Sequence, residues 1–534
     1  MFSIRRLTAA VLLLLVASSW AKPAQAAAGW SPVGGSINGV TVNEVSGRAV
    51  AMSDDGQTVA IGGPGSSTGG VGAGVVRVFR RDGLVWTQLG TDVVGGPSGG
   101  LGADVALSGD GNTLAYSEPN YSGTLTYQGR VRVRHWNGTS WDPVGGDIQG
   151  TAAYDSVGFS LAMNDDASVL VVGSSHADGN VGKVSVFHLE GGNWVQRGAD
   201  FTGTADDAYF GRDVAINDAG DRIAISSDGV TSFIFQAGRV RVLEWNGSTW
   251  SQLGDALTGD SYEALGASLA FSDDGSTLAV GAPRNGTAGL EAGRLRVYRW
   301  TSGSWVLRGT PIDGAAASDH RGDVVSLNAD GTTLVVGGVN GLSSRGNVTV
   351  YHFDGSGWSQ LGSELTGDTV GNQDGSAVAM SDDGLTVAVG SQFDDSGATD
   401  AGAVRVYSIP RPAPALRSVS PDSGSTAGGT SITVFGSWFG GTPTVDIDGQ
   451  PCTSVLLVSE YEITCVTPPH AAADATVVVT NGDTQRSTES LTFAFVADSL
   501  PPTGSNTDRW AVSAAAAVLL GLVMMMRARM RTAR

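Results

Sequence analysis

"LAFSDDGSTLAVGAP", residues Leu269 to Pro283, decides the fold. Apolar and small residues alternate on both sides of an Asp-Gly pair, the pattern of two short strands joined by a tight turn. Variants of the stretch begin at Gly47, Gly102, Gly158, Gly211, Gly266, Gly322 and Gly375, so one unit recurs seven times at a spacing of 53 to 56 residues. A fixed period of this length marks a repeat architecture: one unit cannot bury its apolar faces, and stacked units can.

Each unit continues through a variable Gly-rich loop to a third strand, for example "GVVRVFR" at Gly74, "GRVRVLEW" at Gly238 and "GRLRVYRW" at Gly293. A turn then leads to a short fourth strand that starts at Trp86, Trp141, Trp194, Trp250, Trp305 or Trp358. Seven units of four antiparallel strands predict a seven-bladed β-propeller, and with it an all-β fold class. The seventh unit stops at Ile409 after three strands, whereas "WSPVGG", Trp30 to Gly35, is a fourth strand that lacks the first three. The two ends are expected to share one blade, so that residues 27–409 form a ring closed by the N-terminal strand.

The hairpin at Leu269 to Pro283, followed by "GRLRVYRW", resembles the FG-GAP repeats of secreted propellers and of the integrin α-chain head, and the resemblance covers Trp30 to Ile409. Residues 410–415 form a Pro-rich linker. Beyond it, "VSPDSGSTAGGTSITVFGSWFGG", "VDIDGQPC" and "ITCVTPP" are similar to the IPT/TIG type of immunoglobulin-like domain over residues 416–495, which implies a β-sandwich. The chain's two cysteines, Cys452 and Cys465, both fall there. In an exported chain they are expected to form a disulfide.

Export is expected from residues 1–26, where Arg5 and Arg6 precede the apolar run Ala9 to Val16 and Ala24-Gln25-Ala26 offers a cleavage site between Ala26 and Ala27. At the other end, residues 496–534 hold Leu500-Pro501-Pro502-Thr503-Gly504, then the apolar run Trp510 to Met526, then four arginines. The run is long enough for a marginal transmembrane helix at 510–526, with its positive charge on the cytoplasmic side. The order LPxTG, apolar helix, basic tail resembles the sorting signal of Gram-positive wall proteins. That resemblance implies sortase and peptidoglycan as partners and a chain anchored to the bacterial cell wall; a single-pass membrane anchor at the cell surface is the alternative.

Processing at both ends removes eight of the 32 basic and one of the 52 acidic residues, taking the net charge from −20 to about −27. Such a surface repels nucleic acid and anionic lipid, so no nucleic-acid partner is expected.

The acidic turns, such as Ser53-Asp54-Asp55-Gly56, suggest calcium, but a calcium loop spaces its oxygen ligands along a longer curve. Read one at a time, the turns bond their own backbone and use Gly for a positive φ. No metal or cofactor is therefore assigned, with weak calcium binding as the alternative. The turns also differ from the Asp-box of sialidase propellers, since no residue separates Asp from Gly and the closing Trp is missing. His135, His188 and His352 share one place in the third strand of separate blades, which reads as a solvent-facing position and not a metal site. Gly65-Ser66-Ser67-Thr68-Gly69 fits GxSxG but lies between strands, without the helix a nucleophile elbow needs. Arg321-Gly322-Asp323 is an RGD tripeptide whose Gly is the repeat's own.

What remains are the loops that differ most between blades, with Tyr121 and Tyr127 in one and Phe233 and Phe235 in another. Aromatics on surface loops of a rigid scaffold are candidate ligand contacts, with packing on their own blade as the alternative. The chain is therefore expected to be a non-enzymatic, wall-anchored binding or adhesion protein whose propeller meets an extracellular protein or glycan. A propeller that hydrolyses glycans and a structural wall component without a soluble ligand are the alternatives.

Overall fold

A computed structural model describes residues 29–204, 207–228, 237–340 and 344–497. Ala26, Ala27, Phe233, Phe235, the stretch Leu500 to Gly504 and residues 510–526 lie outside the described residues. Among the described residues no helix is long and apolar enough to cross a membrane. The chain divides into two units, one through Pro412 and one from Ala413.

The first unit is a seven-bladed β-propeller. In the first blade the strands Ala49–Met52, Thr58–Gly63, Val75–Asp82 and Val85–Gln88 pair in order, and the short strand Val93–Val94 returns to the other end of the third strand. Five further blades repeat this plan. In the seventh, Asp374–Met380, Thr386–Ser391 and Ala403–Ser408 are completed by Ser31–Pro32 and Ile37–Asn38, with Ser31 opposite Ser408 and Ile37 opposite Val404. A parallel bridge between Ser46 and Gly402 joins that blade to the first, as Gly74 and Leu101 join the first to the second.

The alternation in the sequence is explained by where the core lies. The second strands, such as Thr58–Gly63 and Thr277–Ala282, are buried along all or nearly all of their length because a neighbouring blade covers each face. Each apolar cluster accordingly draws on two blades. Ala60, Val76 and Val78 of the first blade pack against Val105, Leu107, Leu114 and Tyr116 of the second, and Val404 and Val406 of the seventh pack against Val59 and Ile61 of the first. Gly102 has a φ of +84°, and a Cβ there would sit 2.7 Å from the Val75 carbonyl oxygen. The blades therefore approach so closely at this point that only glycine fits.

The hairpin turns are built as their sequence suggests. Ser53 Oγ donates to Asp55 Oδ1 (2.7 Å), the Gln57 N–H donates to the same oxygen (2.9 Å) and the Thr58 N–H donates to Ser53 Oγ (2.9 Å). Ser272 and Asp274 repeat this in the fifth blade, and in the third Ala167 takes a φ of 56° where Gly stands elsewhere.

The second unit is an immunoglobulin-like sandwich of a four-stranded and a five-stranded sheet. Ile432, Val434 and Ile463 from one sheet face Val445, Val477 and Phe493 from the other. Cys452 and Cys465 lie together in this core, where both are buried. They are hydrogen-bonded to each other, and in an apolar core neutral thiols pack as small hydrophobes.

Candidate functional site

The first strands of all seven blades line a central channel with a cavity of about 580 Å³. At one end the residues that open these strands form a mixed-charge mouth, which includes Arg48, Asp104, Arg212, Asp213 and Asp323. Asp104 Oδ2 accepts from the Leu161 N–H (2.8 Å) and Asp213 Oδ2 from the Leu269 N–H (2.7 Å), so each carboxylate ties its blade to the next. Burial pushes the pKa of Asp104 up to about 6, against the pull of these N–H groups and Arg48. Burial and then the charge of Asp104 push Asp213 up to about 7. Asp323 also rises to about 6 through burial, which His320 and two arginines oppose.

At the far end the acidic turns converge, which their spacing along the chain did not reveal. The Asp54 N–H donates to the Gly109 carbonyl (3.0 Å), Gly109 to Asp165 (2.9 Å), Asp218 to Asp273 (3.1 Å), Asp273 to Ala329 (2.9 Å), Ala329 to Asp382 (3.3 Å) and Asp382 to Asp54 (3.0 Å). The Asn164 side chain closes the ring by donating to the Asp218 carbonyl (2.8 Å). Burial and mutual repulsion push Asp165 up to about 8, Asp382 to about 7 and Asp273 to about 6. Among the described residues no group of three or more His, Cys, Asp or Glu is disposed to hold a metal ion.

Beside the channel mouth lies a groove of about 910 Å³. Pro119 and Phe159 line both. Its walls come from successive loops: Asn120 and Tyr127 from the second blade, Tyr154 and Ser156 from the connection to the third, and His176 and Asn180 from the third. Tyr127 and Tyr154 lie 5.8 Å apart at a tilt of 48°. Phe159, His176 and Tyr209 form a second group, with centroid separations of 5.0 and 5.7 Å. Burial lowers the basicity of His176, so the ring is neutral at physiological pH.

Equivalent loops around the ring are held by buried ion pairs, and Glu118 supplies the one beside the groove. Arg77 pairs with the fully buried Glu44, Arg241 with the fully buried Asp207, and Arg296 with Glu263 at 2.7 Å. Glu118 accepts from Arg130 (2.5 Å) and Arg132 (2.9 Å) and from the Gly96 N–H (3.2 Å). Burial alone would push Glu44 up, but Arg77, the Thr41 hydroxyl and the Val40 N–H hold it below the usual carboxylate range. The arginine of each "RV" third strand is thus a loop anchor, recognisable in the sequence only as a recurring charge inside an apolar strand.

Tyr127 stands in the groove, 43% exposed. Tyr121 packs on its own blade with the Arg130 guanidinium 3.8 Å from its ring centroid. Tyr154, Phe159 and His176 were missed, because nothing in the sequence shows that the connection holding the first two meets the loop holding the third. The shared histidine place is not uniformly exposed: His352 is buried, and burial drives it down to about 3, whereas His135 faces solvent. Arg321 of the RGD tripeptide is buried, donating to Thr349 Oγ1 (3.0 Å) and the Tyr351 hydroxyl (3.2 Å), so it presents no guanidinium to a partner.

Residues 414–495 match the family model of the IPT/TIG domain. The chain is 42% identical over 67 residues, 12% of its length, to Fibrocystin-L of Mus musculus, and 38% identical over 88 residues, 16% of its length, to Plexin-B3 of Homo sapiens. It spans 2% and 5% of the lengths of those two proteins. Among solved structures, a putative 6-phosphogluconolactonase from Bacteroides uniformis shares 15% identity at a TM-score of 0.43, covering 60% of this chain and 86% of that one. The periplasmic gluconolactonase of Pseudomonas aeruginosa shares 18% identity at 0.40, covering 60% and 85%. The expectation of a non-enzymatic chain is corrected by these two, both named as enzymes, and is withdrawn. At those identities and scores they bring no substrate to this chain.

Proposed function

We propose that this chain is an extracellular binding protein that meets a protein or glycan with the propeller face carrying the channel mouth. The groove beside that mouth carries the reading: Tyr127, Tyr154 and Phe159 stand exposed from two successive loops beside the half-buried His176 of a third, and the buried Glu118 pairs with Arg130 and Arg132 at the base of the loop that carries Tyr127. Rigid loops with exposed aromatics bind at low entropic cost. The IPT/TIG domain and an FG-GAP-like repeat fit an extracellular role. The order of Leu500 to Gly504, apolar run and arginines supports secretion followed by sortase attachment to peptidoglycan. Binding of the full chain to arrays of glycans and matrix proteins, with calcium and again with EDTA, tests the reading; absence of saturable binding to any class ends it.

The channel carboxylates favour a second reading. Asp104 and Asp213 both line the channel mouth, and burial raises both carboxyls into the range where they can exchange a proton near neutral pH, as a carboxyl pair that hydrolyses a glycan must. Turnover on a polysaccharide panel, lost in Asp213→Asn, would establish it.

A further inference from the structure

The groove between the second and third blades has a chemistry more specific than a general contact surface. Its lining includes Asn120, Tyr127, Tyr154, Ser156, Phe159 and Asn180, and no Asp, Glu, Lys or Arg is among the lining residues. In a chain with a net charge of −20, an uncharged groove of this size is a selective feature. The ring faces are available: Tyr154 is 60% exposed and Phe159 39%. Tyr127, Tyr154, Ser156 and Asn180 all have left-handed backbone, at φ of 47°, 68°, 47° and 75°. Non-glycine residues hold that conformation only where their surroundings fix it, so the backbone that carries these rings and amides is set before a ligand arrives.

Resting on the binding reading above, we infer that this groove is a subsite for a neutral oligosaccharide, clamped between the Tyr127–Tyr154 pair and the Phe159–His176 pair. A pyranose ring presents an apolar C–H face to an aromatic ring and hydroxyls around its edge. The groove supplies both complements, with two groups of rings in its lining and the Asn120, Ser156 and Asn180 side chains to exchange hydrogen bonds with hydroxyls. A cavity of about 910 Å³ is in the range that encloses most of a ligand of a few sugar rings. Charged saccharides are disfavoured, since no cationic group in the lining offsets the chain's negative charge.

Calorimetric titration of the full chain tests this with neutral hexasaccharides of β-1,4-glucose, α-1,4-glucose, β-1,4-N-acetylglucosamine and mannose, set against sulfated and uronic-acid oligomers. The expected result is saturable binding of at least one neutral series, weakened tenfold or more by Tyr154→Ala and by Tyr127→Ala. Tyr154→Phe retains the binding because it keeps the stacking face. Tyr262→Ala leaves it unchanged, since Tyr262 is 53% exposed in the corresponding loop of the fifth blade and does not line the groove. Binding of charged oligomers alone, or neutral binding indifferent to both tyrosines, overturns the inference. Capture of a protein or peptide without any saccharide overturns it while leaving the wider binding reading standing, and no ligand of any class removes both.

Discussion

The indole nitrogen of Trp30 donates a hydrogen bond of 3.0 Å to the carbonyl oxygen of Leu361, 331 residues along the chain. The same bond recurs around the ring. Trp86 donates to Val33, Trp141 to Leu89, Trp194 to Val144, Trp250 to Arg197, Trp305 to Leu253 and Trp358 to Arg308, at 2.6 to 3.0 Å. The fourth-strand Trp is therefore the clasp between consecutive blades, and the ring closes with the same device that builds it.

Trp30→Ala is expected to destabilise the propeller by about 3–5 kcal/mol, the usual cost of truncating a buried aromatic. Trp30→Phe, which loses mainly the N–H, costs about 1 kcal/mol. Urea unfolding followed by far-ultraviolet dichroism checks both. Removing residues 29–38 exposes the edge of Ala403–Ser408, and self-association in size-exclusion chromatography is the expected result.

Glu118→Ala leaves the guanidinium groups of Arg130 and Arg132 without their shared buried carboxylate. Breaking a buried pair from one side costs about 3–5 kcal/mol, whereas a half-buried pair such as Arg222–Glu244, screened by solvent, costs about 1 kcal/mol. The contrast between Glu118→Ala and Glu244→Ala in the same unfolding assay separates the two.

Stability is expected to fall as pH rises from about 4 to about 8. The ring aspartates titrate near 3.9 in the unfolded chain, and in the folded chain Asp273, Asp382 and Asp165 titrate at about 6, 7 and 8. Between these values the folded state binds more protons, so its advantage is full below the unfolded pKa and is lost as pH passes through the folded ones. Asp165→Asn, which removes the most raised of them, should stabilise the chain at pH 8 and leave it unchanged at pH 4. Unfolding midpoints that rise with pH across this range would contradict the assignment.

Cys452 and Cys465 are expected to resist alkylation in the native chain kept under reductant. Both are buried, and the hydrogen bond from Cys452, with burial, pushes the Cys465 thiol up, so little thiolate forms. Mass spectrometry after iodoacetamide treatment should find both unmodified until urea unfolds the sandwich.

Much of the propeller was legible because each blade carries its own local signals. Alternation around Ser53 to Gly56 marked the hairpin, and the turn forms with Ser53, Asp55 and Gly56 in the roles those residue types imply. The burial of His352 was not legible, since its neighbours in sequence are those of the exposed His135 and only packing distinguishes them. Tyr127 was visible as an aromatic in a variable loop. Tyr154 and Phe159 were not, because the sequence does not show which connecting loops the folded ring brings together.

Residue pattern alone was enough for the repeat, the number of blades and the blade left for the N-terminus to complete, since these follow from alternation and turn chemistry within some 50 residues. Which side chains meet depends on the folded ring. Asp54 and Asp382 are joined by a backbone hydrogen bond of 3.0 Å although most of the ring lies between them in the chain. Closing a ring turns one position in each repeat into a circle of neighbours, so their repulsion arises from the closure and is absent from any single unit.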